Sequence, residues 1–461
     1  MSSDLFHVAA TEDGAGTRFE VSETGGLTCA YVLSGGEQAD YHAFYGEIAR
    51  DWGTRPAHRQ PDPPASERGA ARWQPLLIEP PFGGMDAGFG DPAVLRTPDG
   101  HVLIATSNDA PDAFPILRSR DLRTWEHLGF LFPEGRTPAW TLAGRAKADF
   151  WAPEMARVGD SYWTVYTARG LDGVLAIGLA KANDPAGPWV DLGRPLLRGR
   201  QVSLPSISAD PITVGVIDNH IFVDEAGPIL FWKEDTNGLW PRPLATLLRE
   251  RPDLIPVLFE SEEDRRTAAF AAAMVAHANT RRPIERFFLM QPLIAAVLDG
   301  WPRVSAALKR LPEATHIAAA LRTPVFAQRL SADGSALVGS QVEVLANDQE
   351  WEGHLIEGPW VTKQNGRYWL FYAGNDFTSP RYGIGVAVAD SPWGSYRKQG
   401  EPLLRSTSEW WAPGHASVAP GVDGRPSLFF HAFHPGTGGY NAFRALLTVG
   451  LRFGAERVEV V

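Results

Sequence analysis

The sequence predicts an all-β fold, a five-bladed β-propeller with an N-terminal extension and an α-helical insertion in the third blade. Three observations carry this expectation. First, five stretches share one pattern: an acidic or small polar residue, apolar alternation, a Gly-containing turn, then a second apolar run. They read GDPAVLRTPDGHVLIAT from Gly90, WAPEMARVGDSYWTVYT from Trp151, DNHIFVDEAGPILFWK from Asp218, EGPWVTKQNGRYWLFYA from Glu357 and HASVAPGVDGRPSLFFH from His415. Each reads as a β-hairpin, because period-two alternation gives a strand one core-facing side and glycine supplies the turn. Second, the units begin at 91, 151, 218, 357 and 415, so the steps are 60, 67, 139 and 58. A self-similar array of hairpins marks a repeat fold, here a propeller. Third, weaker strand pairs around polar turns follow the hairpins, at SRDLRTWEHLG, KANDPAGPWVDLG, QRLSADGSALVG and VADSPWGSYRKQG. Four strands per unit make a blade, and RALLTVGLRFGAERVEVV supplies the outer pair of the fifth.

Taken in order, residues 1–80 fall outside the repeat. Arg18–Val21 and Leu27–Leu33 have strand patterns, and Arg55–Arg68 is a Pro- and charge-rich linker. This extension packs on the propeller or supplies an outer strand that closes it. Blades one to three begin within 81–237, and 324–461 completes the propeller. Between them, 238–323 turns helical: SEEDRRTAAFAAAMVAHAN has Ser261 as N-cap, acids in the first turn and an Ala-rich body. Setting these residues aside brings the long step close to the others. The segment follows the second strand of its hairpin, LFWKEDTNG, and so emerges on the face where the first strands begin. It is a helical lid or a contact with a second copy beside the mouth, or else an ornament on the outer rim.

Composition excludes several classes. The chain has 461 residues, 44% hydrophobic with 16 Trp, enough for a large core. A formal charge of −11 and a pI near 5.6 leave no electrostatic footprint for nucleic acid. The single cysteine, Cys29, rules out an internal disulfide framework. MSSDLFHVAATEDG lacks a basic segment followed by an apolar one, and there is no apolar run of membrane-spanning length. The expectation is a cytoplasmic protein with no membrane partner.

Five hairpins around one axis bring Asp91, Asp218 and Glu357 together at one concave mouth. Glycosidic cleavage needs such a set: one acid protonates the leaving oxygen, a base activates water on the opposite face, and a third group tunes the acid. Clustered like charges raise one another's pKa and favour a protonated Glu near neutral pH. Each residue also has a plainer reading. Asp91–Pro92 is an ordinary turn dipeptide, Asp218–Asn219 could be a solvated loop, with Asp210–Pro211 a rival nearby, and Glu357 could merely end a loop. Their matching positions in separate repeats favour the functional reading.

At these residues the chain resembles family 43 glycoside hydrolases. GDPAV, WAPE, VID followed by NHIFVDEAG, FWKED and EGPW stand in the family's order, over about 81–237 and 323–461. The resemblance implies a five-bladed propeller that removes arabinose, xylose or sometimes galactose with inversion. It makes Asp91 the general base, Asp218 the pKa modulator and Glu357 the general acid, with base and acid roughly 6.5–9.5 Å apart. The family usually shows Asp-Pro at the modulator, where this chain has Asp218–Asn219–His220, and the helical segment is not part of its usual pattern. His415 resembles the family's histidine near the propeller axis, which in some members contacts calcium or chloride through water. Calcium prefers oxygen donors, so a structural central histidine is the expectation, with no cofactor required and a structural calcium left open.

Aromatics around the acids would form the sugar platform. Trp151 opens the second repeat and faces the mouth or packs in the core. Trp410 and Trp411 precede the fifth repeat, and Phe114 follows the first blade's second strand as a candidate pocket wall. Arg444 enters the fifth blade's outer strands, within reach of a sugar hydroxyl or a carboxylate. The expected function is an inverting exo-acting hydrolase releasing terminal L-arabinofuranose or D-xylose from small plant-derived oligosaccharides. The alternatives are an endo-acting arabinanase and a non-catalytic propeller that binds carbohydrate or protein. The sucrose- and fructan-cleaving propellers fit less well, since their blocks read Asn-Asp-Pro-Asn and Glu-Cys-Pro.

Overall fold

The computed structural model describes residues 5–14, 16–35, 39–56, 73–80, 85, 87–107, 112–142, 149–202, 212–439 and 442–461. It is mostly β, 45% strand and 21% helix. The chain divides into two units: Pro61–Val202, Thr213–Asp235 and Thr323–Val461 form one, and Met1–Gln60, Ser203–Ile212 and Thr236–Arg322 the other.

In the first unit, antiparallel sheets succeed one another along the chain. Their opening hairpins are Gly90–Thr97 with Gly100–Thr106, Trp151–Val158 with Ser161–Arg169, Ile212–Asp224 with Gly227–Asp235, Ile356–Gln364 with Arg367–Gly374, and Trp411–Pro420 with Pro426–Phe433. Each hairpin continues into further strands on its second member, as the alternation predicts. Gly227–Asp235 pairs directly with Pro324–Leu330, although the helices lie between them in sequence. Gln74–Leu77, from the segment before the first repeat, pairs with Arg444–Phe453 of the last sheet.

First strands of different sheets touch. Gly90–Thr97 lies against Trp151–Val158 and Trp411–Pro420, and the latter lies against Ile356–Gln364. Asn219 Nδ2 donates to the Ala152 carbonyl at 3.0 Å, tying the third sheet to the second. Apolar residues such as Ile104, Ile116, Phe371 and Phe430 are fully buried between the sheets.

All five first strands carry one distortion, near the start of four of them and midway along Ile212–Asp224. The ladder slips beside Asp91–Pro92, Ala152–Pro153, Asp218–Asn219, Gly358–Pro359 and Ala412–Pro413. The first residue of each pair has left-handed φ: 50° at Asp91, 46° at Ala152, 56° at Asp218, 58° at Gly358 and 50° at Ala412. A bulge of this kind re-aims side chains at the end of a strand. It is the local device that positions the site.

In the second unit, Phe6–Asp13, Gly16–Glu23 and Thr28–Leu33 form a three-stranded antiparallel sheet, beside a helix at Tyr41–Trp52. The expected strands at Arg18–Val21 and Leu27–Leu33 fall within it, while the Arg55–Arg68 linker lies outside the described residues from position 57. This layer shares a core with the helices of the 241–320 segment. Phe6 packs edge-on against Trp52 and Phe270, Phe19 meets Phe44 and His277, and Tyr45 O–H donates to the Leu289 carbonyl at 2.6 Å. Among the described residues no helix is long and apolar enough to cross a membrane.

The longest of these helices, Glu262–Ala278, starts where the sequence places it: Ser261 Oγ accepts from the Asp264 N–H at 3.0 Å. Replacing Ser261 by Ala removes that acceptor and should cost about 1 kcal/mol locally. Hydrogen exchange at the Asp264 amide should accelerate several-fold, while amides of the five-sheet unit keep their protection.

Candidate active site

The repeated bulge brings the three predicted carboxylates into one electrostatic cluster. Asp91 and Asp218 sit at the left-handed position of their strands, and Glu357 sits one residue before it, ahead of Gly358. The Gly358 N–H donates to Asp218 Oδ2 at 3.0 Å, so the third and fourth sheets meet through a carboxylate. At 358 a Cβ would press on His415, 3.0 Å from its ring Cγ, and glycine avoids that contact. Asp210–Pro211, the rival pair, lies outside the described residues.

The environments of the carboxyls differ. Asp91 has Arg444 Nη1 at 3.3 and 3.4 Å from its two oxygens and His415 Nδ1 at 3.5 Å. Burial alone would raise its pKa, but Arg444, His415 and His431 hold it well below the usual carboxylate range. Asp218 moves the other way. Burial pushes it up to about 6; Glu357 and Asp91 add to the rise, and His415 and Lys233 oppose it. Glu357, 7% exposed, accepts from two buried donors: Lys233 Nζ to Oε2 at 3.1 Å and Tyr382 O–H to Oε1 at 2.7 Å.

Residues opposite the strand openings link one sheet to the next. Thr106 pairs with Gly90, Thr167 with Trp151, and the bulge sets Lys233 opposite Ile217. Thr106 Oγ1 accepts from the Ala152 N–H at 2.8 Å, Thr167 Oγ1 donates to Asn219 Oδ1 at 3.4 Å, and Lys233 reaches Glu357. Each of the first three sheets therefore hands a polar group to the opening of its successor. The sequence reading passed over Lys233, Tyr382 and His431. Lys233 stood inside the quoted FWKED block, and aligning the second strands would have shown a lysine where two other repeats carry threonine. His431 likewise interrupts the apolar run SLFFHAF; its Nδ1 accepts from the Asp91 N–H at 3.0 Å.

Beneath the carboxylates lies a buried pair, Glu154 Oε2 and His220 Nδ1, 2.5 Å apart. His220 Nε2 is 3.2 Å from the Val361 carbonyl and so carries the hydrogen, leaving Nδ1 to accept from a protonated Glu154. Burial drives both groups toward neutrality, raising Glu154 and lowering His220 to about 3. His415 lies between Asp91 and Glu154, its Nε2 4.0 Å from Glu154 Oε1. Calcium takes six to eight oxygen ligands, and among the described residues no group of three or more His, Cys, Asp or Glu is arranged to hold a metal.

The other expected residues divide. Arg444 joins the cluster, and a Cβ at Gly90 would fall on its guanidinium. Trp151 is half-buried at the opening of its strand. Trp411, 7% exposed, clusters with Tyr382, Ala412 and Phe433 at the edge of the site. Trp410 instead packs on His434, ring centres 4.9 Å apart, and lines a separate cleft with Trp73 and Glu409. Phe114 is a correction. It is 2% exposed among Phe132, Phe150 and Tyr166, a core ring rather than an open pocket wall.

The fold and this cluster define a carbohydrate-cleaving class, and comparison with known proteins agrees. The pattern of glycosyl hydrolases family 43 matches residues 86–245 and 318–455, well over half the chain, so the chain belongs to that family of glycosidases. A curated relative is the extracellular exo-α-(1→5)-L-arabinofuranosidase of Streptomyces chartreusis, 31% identical over 107 residues. That match spans 21% of this chain and about a third (32%) of the relative. Among solved structures, a thermostable family-43 glycoside hydrolase superposes with TM-score 0.54 at 24% identity, covering 81% of this chain and 92% of that one. An endo-1,4-β-xylanase from Bacteroides thetaiotaomicron gives 0.52 at 17% identity, covering 82% and 96%. At these identities the likeness is one of fold, the β-propeller.

The raised Asp218 makes a stability prediction. A buried acid whose folded pKa exceeds its unfolded value binds its proton more tightly when folded. It therefore favours folding below the unfolded pKa near 3.8 and loses that advantage as pH climbs to about 6. Asp218→Asn should be more stable than wild type above pH 7, by up to about 3 kcal/mol, with the difference shrinking as pH falls from 6 to 4. Urea unfolding at several pH values measures this, and a difference independent of pH would refute it.

Proposed function

We propose that this protein is an inverting, exo-acting glycoside hydrolase releasing terminal L-arabinofuranose or D-xylose from small plant-derived oligosaccharides. In this reading the successive sheets are the five blades of a propeller, and the helices before Pro324–Leu330 are an insertion in the third. The observation that carries it is the inequality of clustered carboxyls: Arg444 keeps Asp91 ionised while Asp218, beside Glu357, is pushed up to about 6. An ionised Asp91 accepts a proton from water as the water attacks the anomeric carbon. Glu357 donates its proton to the departing glycosidic oxygen, and Asp218 tunes that donor. Attack opposite the leaving group inverts the configuration. The printed name of the Streptomyces relative favours terminal arabinofuranose among the substrates.

The test is hydrolysis of 4-nitrophenyl α-L-arabinofuranoside and β-D-xyloside by wild type, Glu357→Ala and Asp91→Ala. Turnover should fall by roughly a thousand-fold or more in each variant, and NMR of the first product should show the inverted anomer. Retention of configuration would sink the assignment of Asp91. On arabinan, monosaccharide should be the first product; oligosaccharides would make the enzyme endo-acting, and sugar binding without turnover would make it a binding propeller. Arg444→Gln supplies a second check. Losing the cation beside Asp91 should move the acidic limb of kcat/KM up by roughly a pH unit or more, and an unmoved limb would separate Arg444 from the base.

A further inference from the structure

We propose that Lys233 is a positioning residue that confines the transferable proton of Glu357 to Oε1. This rests on the reading of Glu357 as the leaving-group acid. Lys233 is wholly buried, with Nζ 3.1 Å from Oε2. An ammonium can only donate, so the oxygen it faces can only accept. Oε1 has a different partner, the Tyr382 hydroxyl at 2.7 Å, which can donate or accept. A protonated Glu357 therefore carries its hydrogen on Oε1. The phenol turns to accept in that state and turns back to donate once the proton has gone. Lysine thus divides one carboxyl into a held oxygen and an exchanging one.

The repeat shows how specific this arrangement is. The register position of Lys233 is occupied by Thr106 and Thr167 in the two preceding sheets and by Ala373 in the next. Threonine can donate or accept, and alanine does neither. Only the lysine forces one proton placement on the carboxyl it meets. Groups facing it set the charge balance: Glu357 first, then Asp218 from the neighbouring strand and Asp235 from its own, hold it protonated against burial. His354, ahead of Ile356–Gln364, is buried and held neutral by that burial and by the lysine's charge. Asp91 is matched by Arg444, and His415 lies against Asp91.

The step balances. The Oε1–H bond breaks as a new O–H bond forms on the glycosidic oxygen, which takes the electron pair of the bond to the anomeric carbon. Water supplies the new C–O bond and gives its proton to Asp91. The carboxylate left on Glu357 then accepts from Lys233 at one oxygen and Tyr382 at the other.

The experiment compares two glycosides of the sugar that wild type prefers: the 2,4-dinitrophenyl glycoside, whose leaving group departs without protonation, and the 4-methoxyphenyl glycoside, whose leaving group needs the acid. In Lys233→Met and Lys233→Gln the ratio of kcat values should change by about 30-fold or more against the methoxyphenyl substrate. The alkaline limb of the pH profile should move upward, because loss of a cation favours the protonated acid. Equal losses on both substrates with an unmoved limb, in variants whose thermal unfolding matches wild type, would overturn the proposal and leave Lys233 a packing residue. If neither variant folds, Tyr382→Phe must produce the same selective loss; an unchanged ratio there overturns the proposal as well. A wild type inert on both glycosides, or Glu357→Ala retaining activity on the methoxyphenyl substrate, would instead defeat the reading of Glu357 as the acid.

Discussion

The left-handed residue carried by each first strand is the constraint on which this site depends. Four of the five such residues are not glycine, and a side chain at positive φ costs of order 1–3 kcal/mol. The strain persists because it frees a backbone N–H from the ladder and offers it to a neighbouring sheet or loop. The Asp91 N–H goes to His431, the Ala152 N–H to Thr106, the Gly358 N–H to Asp218 and the Ala412 N–H to Ser406. Adjacent sheets are thus bonded through the same turns that aim the carboxylates. A site built on strand ends in this way is held by the core beneath it, so its geometry need not form when substrate arrives.

Electrostatics then separates residues that the repeat makes alike. Asp91 and Asp218 occupy equivalent backbone positions, yet one is stabilised as an anion and the other is not. The difference comes from outside the hairpins. Arg444 reaches Asp91 from the last sheet, over Gly90, which has no side chain to block it. Among the described residues Asp218 is met by no guanidinium, and it accepts the Gly358 N–H. The neutral Glu154–His220 pair completes the arrangement: it fills the polar space below the cluster without adding charge, so the Arg444–Asp91 and Lys233–Glu357 pairs set the local field.

Much of this was legible in the chain because a repeat lets each unit be read against the others. Alternation around the Gly turns located the hairpins, and their openings singled out Asp91, Asp218 and Glu357, although Glu357 stands one position ahead of the offset that Asp91 and Asp218 share. The same alternation marked Arg18–Val21 as a strand, but it names a strand and not its partner. That residues 5–56 share a core with the helices, through Phe6–Phe270 and Tyr45–Leu289, depends on chain segments more than two hundred positions apart. Phe114 failed as a pocket residue for a related reason. Its place after a strand looked exposed, and its burial comes from Phe132, Phe150 and Tyr166, which are remote in sequence or on other strands. His431 and Lys233 looked like strand residues because they are, and only their register opposite the bulges reveals what they bond.

The third repeat departs from the pattern more than any other, and its departures converge. It carries Asn219 where four repeats place proline, and Lys233 where two place threonine. It also parts its second and third strands with the helical segment. Asparagine keeps a side-chain donor where proline has none, and Nδ2 uses it to hold the Ala152 carbonyl beside Asp218. The lysine does the same for Glu357 on the following sheet. Local rules are expected to be broken where function requires a particular contact. Here two exceptions in one hairpin fix the surroundings of two of the three carboxylates, one on its own sheet and one on the next. The third, Asp91, depends instead on Arg444 and His431 from the last sheet, so Asp91 and Glu357 are set by separate parts of the chain.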